Sequence, residues 1–275
     1  MLAGGTRLEV WGDPIEHSRS PQLHAAAYRV LGFDWTYERR RVTASGFTDA
    51  LASLDDRWRG LSLTMPLKRP VLQLLDSVSP IAEAAGAVNT VLLGDGLRIG
   101  DNTDVPGAAA AIRERYDGRV RTAVVVGGGA TAASVALALG ELGCWVVTLL
   151  VRDAERATDT VQRVTHHEGP LLVVGSLEGE PLEADIVVST IPTEAQTPGL
   201  VDRLAGIPVV FDVVYGTWPT PLARSAGPGR TLVSGLDMLV HQAALQVALM
   251  TGLREIPIDA MRAAAEQAIT ERSSG

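Results

Sequence analysis

Apolar and polar positions alternate along this chain in short blocks, and the blocks switch repeatedly between a strand period and a helix period. Leu8-Glu9-Val10-Trp11-Gly12, Trp35-Thr36-Tyr37-Glu38-Arg39 and Gly60-Leu61-Ser62-Leu63-Thr64 read as short strands. Helices are predicted over residues 21–31, 44–54 and 66–75. Residues 86–93 and 97–100 flank Gly94-Asp95-Gly96, a hairpin turn. An alanine-rich helix follows over 105–116. Val124-Val125-Val126 is apolar at every position, as expected of a strand buried on both faces of a parallel sheet. Residues 145–151, 171–174, 184–190, 208–215 and 231–233 continue the strand series, and helices are predicted over 132–142, 235–250 and 258–269. Strands alternating with helices predict an α/β protein with mostly parallel sheets. The composition shift at Pro106-Gly107 marks a domain boundary. The expected division is 1–106 with 236–275, and 107–235, the C-terminal helices packing back on the first domain.

The glycine run after the three valines adds chemistry to this frame. Gly127, Gly128 and Gly129 permit a tight turn with no Cβ in the way, and Ala130-Thr131 leads into a helix. A strand, a glycine turn and a helix N-terminus aim backbone N–H groups at an anion, where the helix dipole also favours negative charge. The spacing Gly127-x-Gly129-x-x-Ala132 is the alanine-ended form of the dinucleotide fingerprint, so 107–235 reads as a Rossmann-like domain. The end of the next strand selects the cofactor: an acidic residue there favours NAD, an arginine NADP. The strand ends Val151-Arg152, which favours NADP over NAD. Asp153 suits the N-cap of the following helix, and turned toward the ribose it would reverse the preference.

Bulk properties narrow the partners. The 275 residues carry a formal net charge of −8, which argues against general nucleic-acid binding. Apolar residues make up 46% and charged residues 20%, ordinary for a globular protein with a sizeable core. No apolar run approaches a membrane span, and the N-terminus lacks the apolar core of a signal peptide. The single cysteine, Cys144, cannot form an internal disulfide, so a reducing cytoplasm is the expected compartment; its apolar setting suits a small buried hydrophobe better than a nucleophile. No spacing of His, Cys, Asp and Glu resembles a zinc site, and His166-His167 reads as part of a polar turn.

Polar residues then cluster at the predicted strand ends, where open α/β sheets bind ligands. Ser18 and Ser20 precede the first helix; Ser20 with Pro21 after it reads as an N-cap, and the two hydroxyls together could hold a carboxylate. Thr64 and Lys68 follow the third strand, although a lone lysine is by default a solvated charge. Asn89 opens one strand, and Asp101-Asn102-Thr103-Asp104 ends another, where turn and capping roles would also explain these types. Tyr215 stands just past an apolar strand, and Gln242 on the long helix shares a face with Met238.

Taken in order, these segments resemble the shikimate dehydrogenase family of aromatic amino-acid biosynthesis, which reduces 3-dehydroshikimate to shikimate with NADPH. The resemblance rests on Gly12-Asp-Pro-Ile-Glu-His-Ser18-Arg-Ser20-Pro-Gln-Leu-His24, Ser62-Leu-Thr64-Met-Pro-Leu-Lys68, Gly86-Ala-Val-Asn89-Thr, Asn102-Thr-Asp104, Asp212-Val-Val-Tyr215, Thr220-Pro-Leu and Gly235-Leu-Asp-Met-Leu-Val-His-Gln242. It implies that Ser18, Ser20 and Tyr215 hold the substrate carboxylate, and that Thr64, Asn89, Asp104 and Gln242 meet its hydroxyls. It implies Lys68 as catalytic acid and base with Asp104 beside it, and Val213 and Gly235 next to the nicotinamide. Gly127, Gly128, Gly129, Ala130, Thr131 and Arg152 would hold the rest of NADP. A homodimer is among the assemblies such a chain could form; no metal is implied. The sequence departs from the family at Ser62, where Asn is usual, and at Val105, where Gly is common. It departs again at Ala130 and Ala133, and of the family's Asn-Arg-Thr only Arg152 is kept, between Val151 and Asp153. The rival readings are an NAD-dependent quinate/shikimate dehydrogenase and a non-catalytic dinucleotide or metabolite sensor on the same fold.

Overall fold

The computed structural model describes residues 5–273. Two compact units divide it: one runs to Thr103 and resumes at Leu239, the other spans Asp104 to Met238.

The first unit holds β1 (Arg7–Gly12), α1 (Ser20–Leu31), β2 (Thr36–Arg41), α2 (Phe47–Ala52), β3 (Trp58–Leu63), β4 (Ser77–Val78), α3 (Pro80–Ala85), β5 (Thr90–Gly94) and β6 (Leu97–Asp101). Its sheet runs β2-β1-β3-β5-β6-β4. The β1/β2, β1/β3 and β4/β6 pairs are parallel, whereas β3/β5 and β5/β6 are antiparallel. The β5/β6 pairing follows from the hairpin: Asp95 and Gly96 both take positive φ, 52° and 76°, as a two-residue turn matched to strand twist requires. The core packs under the sheet around Trp11, whose ring meets Phe47 and Trp58 edge-on at 6.1 and 6.4 Å. Such pairs add about 0.5–1.5 kcal/mol beyond area burial.

The second unit holds α4 (Asp104–Arg115), β7 (Thr122–Val126), α5 (Ala130–Glu141), β8 (Val146–Val151), α6 (Ala154–His166), β9 (Leu171–Ser176), β10 (Ile186–Ser189), α7 (Pro198–Arg203), β11 (Val209–Asp212), α8 (Pro221–Ser225) and β12 (Thr231–Ser234). Its sheet is wholly parallel, ordered β9-β8-β7-β10-β11-β12. The order reverses between β7 and β10, the switch point at which doubly wound sheets bind dinucleotides. Val124, Val126, Leu150, Val187 and Val210 are buried along its central strands. The chain then continues through α9 (Gly235–Thr251) and α10 (Ile258–Ser273), and α10 packs on α1 within the first unit.

Several local expectations shift. The expected boundaries at 106 and 235 fall inside α4 and at the head of α9; α4 belongs to the second unit from its first residue because it packs on α5 and β12. The helix expected over 66–75 is a set of turns and a short 3₁₀ helix, Pro70–Leu74, because Pro70 interrupts the α pattern. Ser20 is the first residue of α1 rather than its cap: the Ser20 N–H donates to Ser18 Oγ at 3.3 Å, and Arg19 occupies the cap position. His166 ends α6 instead of lying in a turn.

Candidate active site

In the first unit, the carboxyl ends of β1 and β3 are drawn together by backbone bonds. The Thr64 N–H donates to Trp11 O at 2.9 Å and the Asp13 N–H to Met65 O at 2.9 Å. Gly12 permits this approach; a Cβ there would stand 2.3 Å from Thr64 Cγ2. Lys68 follows in the turn, half-buried, its carbonyl accepting from the Val88 N–H at 2.8 Å. Ser18 and Ser20 are both buried, and Arg39 pins their loop through the carbonyls of Glu16 and Ser18.

Asn89, at the mouth of β5, is the centre of a buried polar cluster. Its Oδ1 accepts from the Thr103 N–H at 2.9 Å, which fixes the amide orientation, since a backbone N–H can only donate. Its Nδ2 then donates to Thr103 Oγ1 at 2.9 Å and Gln242 Oε1 at 3.3 Å. Gln242 Nε2 donates to Leu239 O, so the side chain folds against its own helix. Asn102 is spent elsewhere, donating to Ala87 O at 2.8 Å. Asp104 comes next in the chain, buried, in the first turn of α4, where the helix dipole favours a carboxylate. The structure therefore brings Asn89, Thr103 and Gln242 together by side-chain contact and sets Thr64 and Lys68 on the neighbouring strand end.

In the second unit, the turn after β7 is built from backbone. Gly127 has φ of 118°, and a Cβ there would lie 2.2 Å from Thr190 Oγ1. A Cβ on Gly128 would meet Val151 Cγ1 at 3.0 Å and the Ala157 Cβ at 3.3 Å. A Cβ on Gly129 would meet nothing within 4 Å, so the turn is open at this position, just before α5. Thr190 braces the turn by donating to Val126 O at 2.8 Å, and Thr160 by donating to Gly128 O at 2.9 Å. Arg152 is exposed after β8, while Asp153 caps α6 by accepting from the Glu155 N–H at 3.0 Å. Val213 follows β11 and is bonded to Ser189 O. A Cβ on Gly235 would stand 2.2 Å from Val213 O, so only glycine lets α9 start against that loop. Tyr215 lies beyond the strand, half-buried.

Two models of known families match the chain, the shikimate dehydrogenase substrate binding domain over residues 10–91 and the shikimate 5'-dehydrogenase C-terminal domain over 235–266. The shikimate dehydrogenase (NADP(+)) of Anaeromyxobacter sp. (strain Fw109-5) is 37% identical, covering 96% of this chain and 97% of the relative. The chain belongs to the shikimate dehydrogenase family. Among solved structures, shikimate dehydrogenase of Mycobacterium tuberculosis superposes with a TM-score of 0.87 at 38% identity, over 95% of this chain and 99% of that one. Quinate dehydrogenase of Corynebacterium glutamicum in complex with NAD is also similar, with a TM-score of 0.82 at 29% identity, over 94% and 98%. The same fold thus serves relatives named for different cofactors and substrates.

Family membership makes the residues that pattern reading missed more telling. At the usual asparagine position, Ser62 accepts from Tyr37 Oη at 2.6 Å and donates to Gln246 Oε1 at 2.9 Å. Gln246, Tyr37 and His24 are all buried, and of the three only His24 lies in a segment that carries the family resemblance. Gln196 is a fourth such residue; it donates to Asp212 Oδ2 at 2.7 Å and to Ser189 Oγ. With Thr220 Oγ1 and the Val214 N–H it holds the buried Asp212 carboxyl, whose pKa burial raises, and so anchors the Val213–Tyr215 loop. A buried amide facing a strand-end aspartate is the only signal that could have pointed to Gln196.

Proposed function

We propose that this chain catalyses the reversible reduction of 3-dehydroshikimate to shikimate with NADPH, in the biosynthesis of aromatic amino acids. The observation that carries the reading is the buried Asn89–Thr103–Gln242 cluster, with Asp104 next in the chain after Thr103, in a protein related to a shikimate dehydrogenase over 96% of its length. A site that bonds a substrate's hydroxyls rejects analogues lacking them, because its own polar groups would be left unpaired. In this proposal Thr64, Asn89, Asp104 and Gln242 meet the ring hydroxyls, and Ser18, Ser20 and Tyr215 the carboxylate.

The glycine turn fits a dinucleotide: Gly129 is open at the α5 N-terminus, and Gly127 and Gly128 let the backbone fold beneath it. Gly127, Gly128, Gly129, Ala130 and Thr131 would hold the pyrophosphate, and Val213 and Gly235 would line the nicotinamide. Arg152 would meet the 2′-phosphate, and the capping role of Asp153 supports NADP over NAD. The cofactor, when bound, supplies the hydride. Lys68 gives the proton to the oxygen that becomes the hydroxyl, and takes it back in the reverse direction. In the same proposal Asp104 is the residue that assists Lys68 in this acid–base step.

Cytoplasmic location belongs to the same proposal. It is supported by the absence, among the described residues, of any helix long and apolar enough to cross a membrane, and by the single buried thiol of Cys144, pushed up to about 11 by burial. A homodimer does too: Leu171, Val173 and Val174 lie exposed on edge strand β9, an apolar surface that a second copy would cover. Sedimentation velocity would read it out.

The deciding experiment is absorbance at 340 nm with shikimate or quinate, each with NADP or NAD. Fast reduction of NADP with shikimate is the expected result. Faster rates with NAD and quinate would replace it by the quinate reading, and binding of shikimate without reduction in any combination by a sensor.

A further inference from the structure

Gln242 and Gln246 stand one turn apart on the same face of α9, and both side chains are buried. Gln242 belongs to the proposed substrate site; Gln246 has no part in it. Its two ends clamp a cross-strand pair, because Ser62 of β3 lies directly opposite Thr90 of β5. Gln246 Nε2 donates to Asn89 O and to Thr90 Oγ1, both at 3.1 Å. A backbone carbonyl can only accept, so this atom is the amide nitrogen and Oε1 faces the other way. Oε1 accepts from Ser62 Oγ at 2.9 Å and from His24 Nε2 at 3.3 Å. Tyr37 Oη in turn donates to Ser62 Oγ at 2.6 Å, so the proton of Ser62 stays on Gln246.

The nitrogen end sets a direction. Thr90 Oγ1 has one proton and accepts from Gln246, which leaves that proton for Asn89 Oδ1, 2.8 Å away. Asn89 Oδ1 also accepts from the Thr103 N–H at 2.9 Å, and these two donors fill its two lone pairs. The relay is thus fixed at both ends by main chain, an acceptor at Asn89 O and a donor at the Thr103 N–H. All of its members are buried, so none of them can turn to water instead. Asn89 is left to face other groups through its amide nitrogen, which donates to Gln242 Oε1 at 3.3 Å. We propose that Gln246 is a positioning residue for the substrate: acting through Thr90, it locks the Asn89 amide so that Asn89 meets a ring hydroxyl only as a donor. The ligand oxygen accepts there, and its own proton goes to another group. The inference rests on the assignment of Asn89 to the ring hydroxyls in the proposed function.

The first test is Thr90→Val, which keeps the branched shape and removes the relay. Asn89 Oδ1 then loses one of its two donors, and the amide loses its lock. KM for shikimate should rise about 2- to 10-fold, the range of one net hydrogen bond, with kcat and KM for NADP unchanged. Thr90→Ser restores the hydroxyl and should behave as wild type. Gln246→Leu cuts the relay one step earlier and should raise KM for shikimate in the same range. Because the two residues act in series, the double variant should do no more than the larger single change. If Gln246→Leu does not fold, Thr90→Val decides alone. Cyclohexene carboxylate keeps the ring and the acid but has no hydroxyl, so it should inhibit wild type and Thr90→Val equally. A purely structural role would weaken shikimate and this inhibitor together. That result, additive effects of the two substitutions, or an unchanged KM for shikimate in a folded and active Thr90→Val would overturn the proposal. Wild-type protein that does not oxidise shikimate at all would instead remove the function, and the inference with it.

Discussion

The two units build their candidate binding groups in different ways. In the first unit the polar surface is carried by side chains that hold one another: Asn89, Thr103, Gln242, Gln246, Ser62 and Tyr37 are all buried, with Asn89 bonded to Thr103 and Gln242, Gln246 to the Asn89 carbonyl and Ser62, and Ser62 to Tyr37. In the second unit the turn is carried by backbone: Gly127 and Gly128 remove side chains from places where a Cβ would collide, and threonines 160 and 190 brace it. A network of side chains discriminates among small ligands, because an unmatched hydroxyl or amide leaves a buried group unpaired, at about 1–3 kcal/mol each. A glycine turn grips any pyrophosphate and leaves discrimination to the next strand end. Substitutions should accordingly act in distinct ways on the two sides.

The largest effect is expected from the group proposed to handle the proton. Lys68→Ala should cut turnover about 10²- to 10⁴-fold with a modest change in KM, because general acid–base assistance acts in the transition state. Turnover near wild type in steady-state assays would remove Lys68 from the mechanism. On the backbone side, Gly127→Ala has to place a side chain at φ of 118° and displace Thr190 from Val126 O. Strain of about 1–3 kcal/mol should appear both as a lower melting temperature and as a KM for NADP raised several-fold. Gly129→Ala sharpens the point. It meets no protein atom within 4 Å, so thermal stability should be kept while KM for NADP still rises. Equal losses of stability in the two variants would mean that Gly129 matters to the fold rather than to the anion.

A smaller effect separates the cofactors. Arg152 is exposed and Asp153 is engaged as the α6 cap. Arg152→Ala should raise KM for NADP about 10- to 100-fold, the range for hydrogen bonds to a charged group, and leave KM for NAD unchanged. Parallel changes with both cofactors would show that the arginine does not read the 2′-phosphate.

This contrast also explains what could be read from sequence. The glycine turn was legible because a positive φ and close backbone contacts demand glycine locally, and a strand and helix flank it. The hairpin at Asp95-Gly96 was legible for the same reason. Asn89 and Gln242 could be picked out only through the family resemblance, since each alone passes for a turn former or a surface amide. Tyr37 and Gln246 were not legible: they lie far apart in sequence and meet at Ser62 only when β2, β3 and α9 come together. The helix expected over 66–75 failed because a 3.6-residue apolar period survives in a stretch whose prolines forbid an α-helix.

The side-chain network has one further consequence, in stability rather than rate. His24 sits fully buried beneath Tyr37, and burial depresses its pKa from an ordinary 6.5 to about 3. The unfolded chain therefore binds a proton at this histidine below pH 6.5, while the folded protein does not until near pH 3. Protonation pulls toward the unfolded state throughout that window, so stability is highest above pH 6.5 and falls as the pH drops, by about 1.4 kcal/mol per unit for this group. Acidic side chains add their own slopes, so the contribution is best isolated by difference. His24→Gln should be less stable than wild type at pH 7, having lost the stack on Tyr37, but its denaturant midpoint should fall less steeply between pH 6.5 and 4. The two curves should converge as the pH is lowered. Parallel curves would mean that His24 takes up a proton in the folded protein as readily as in the unfolded chain.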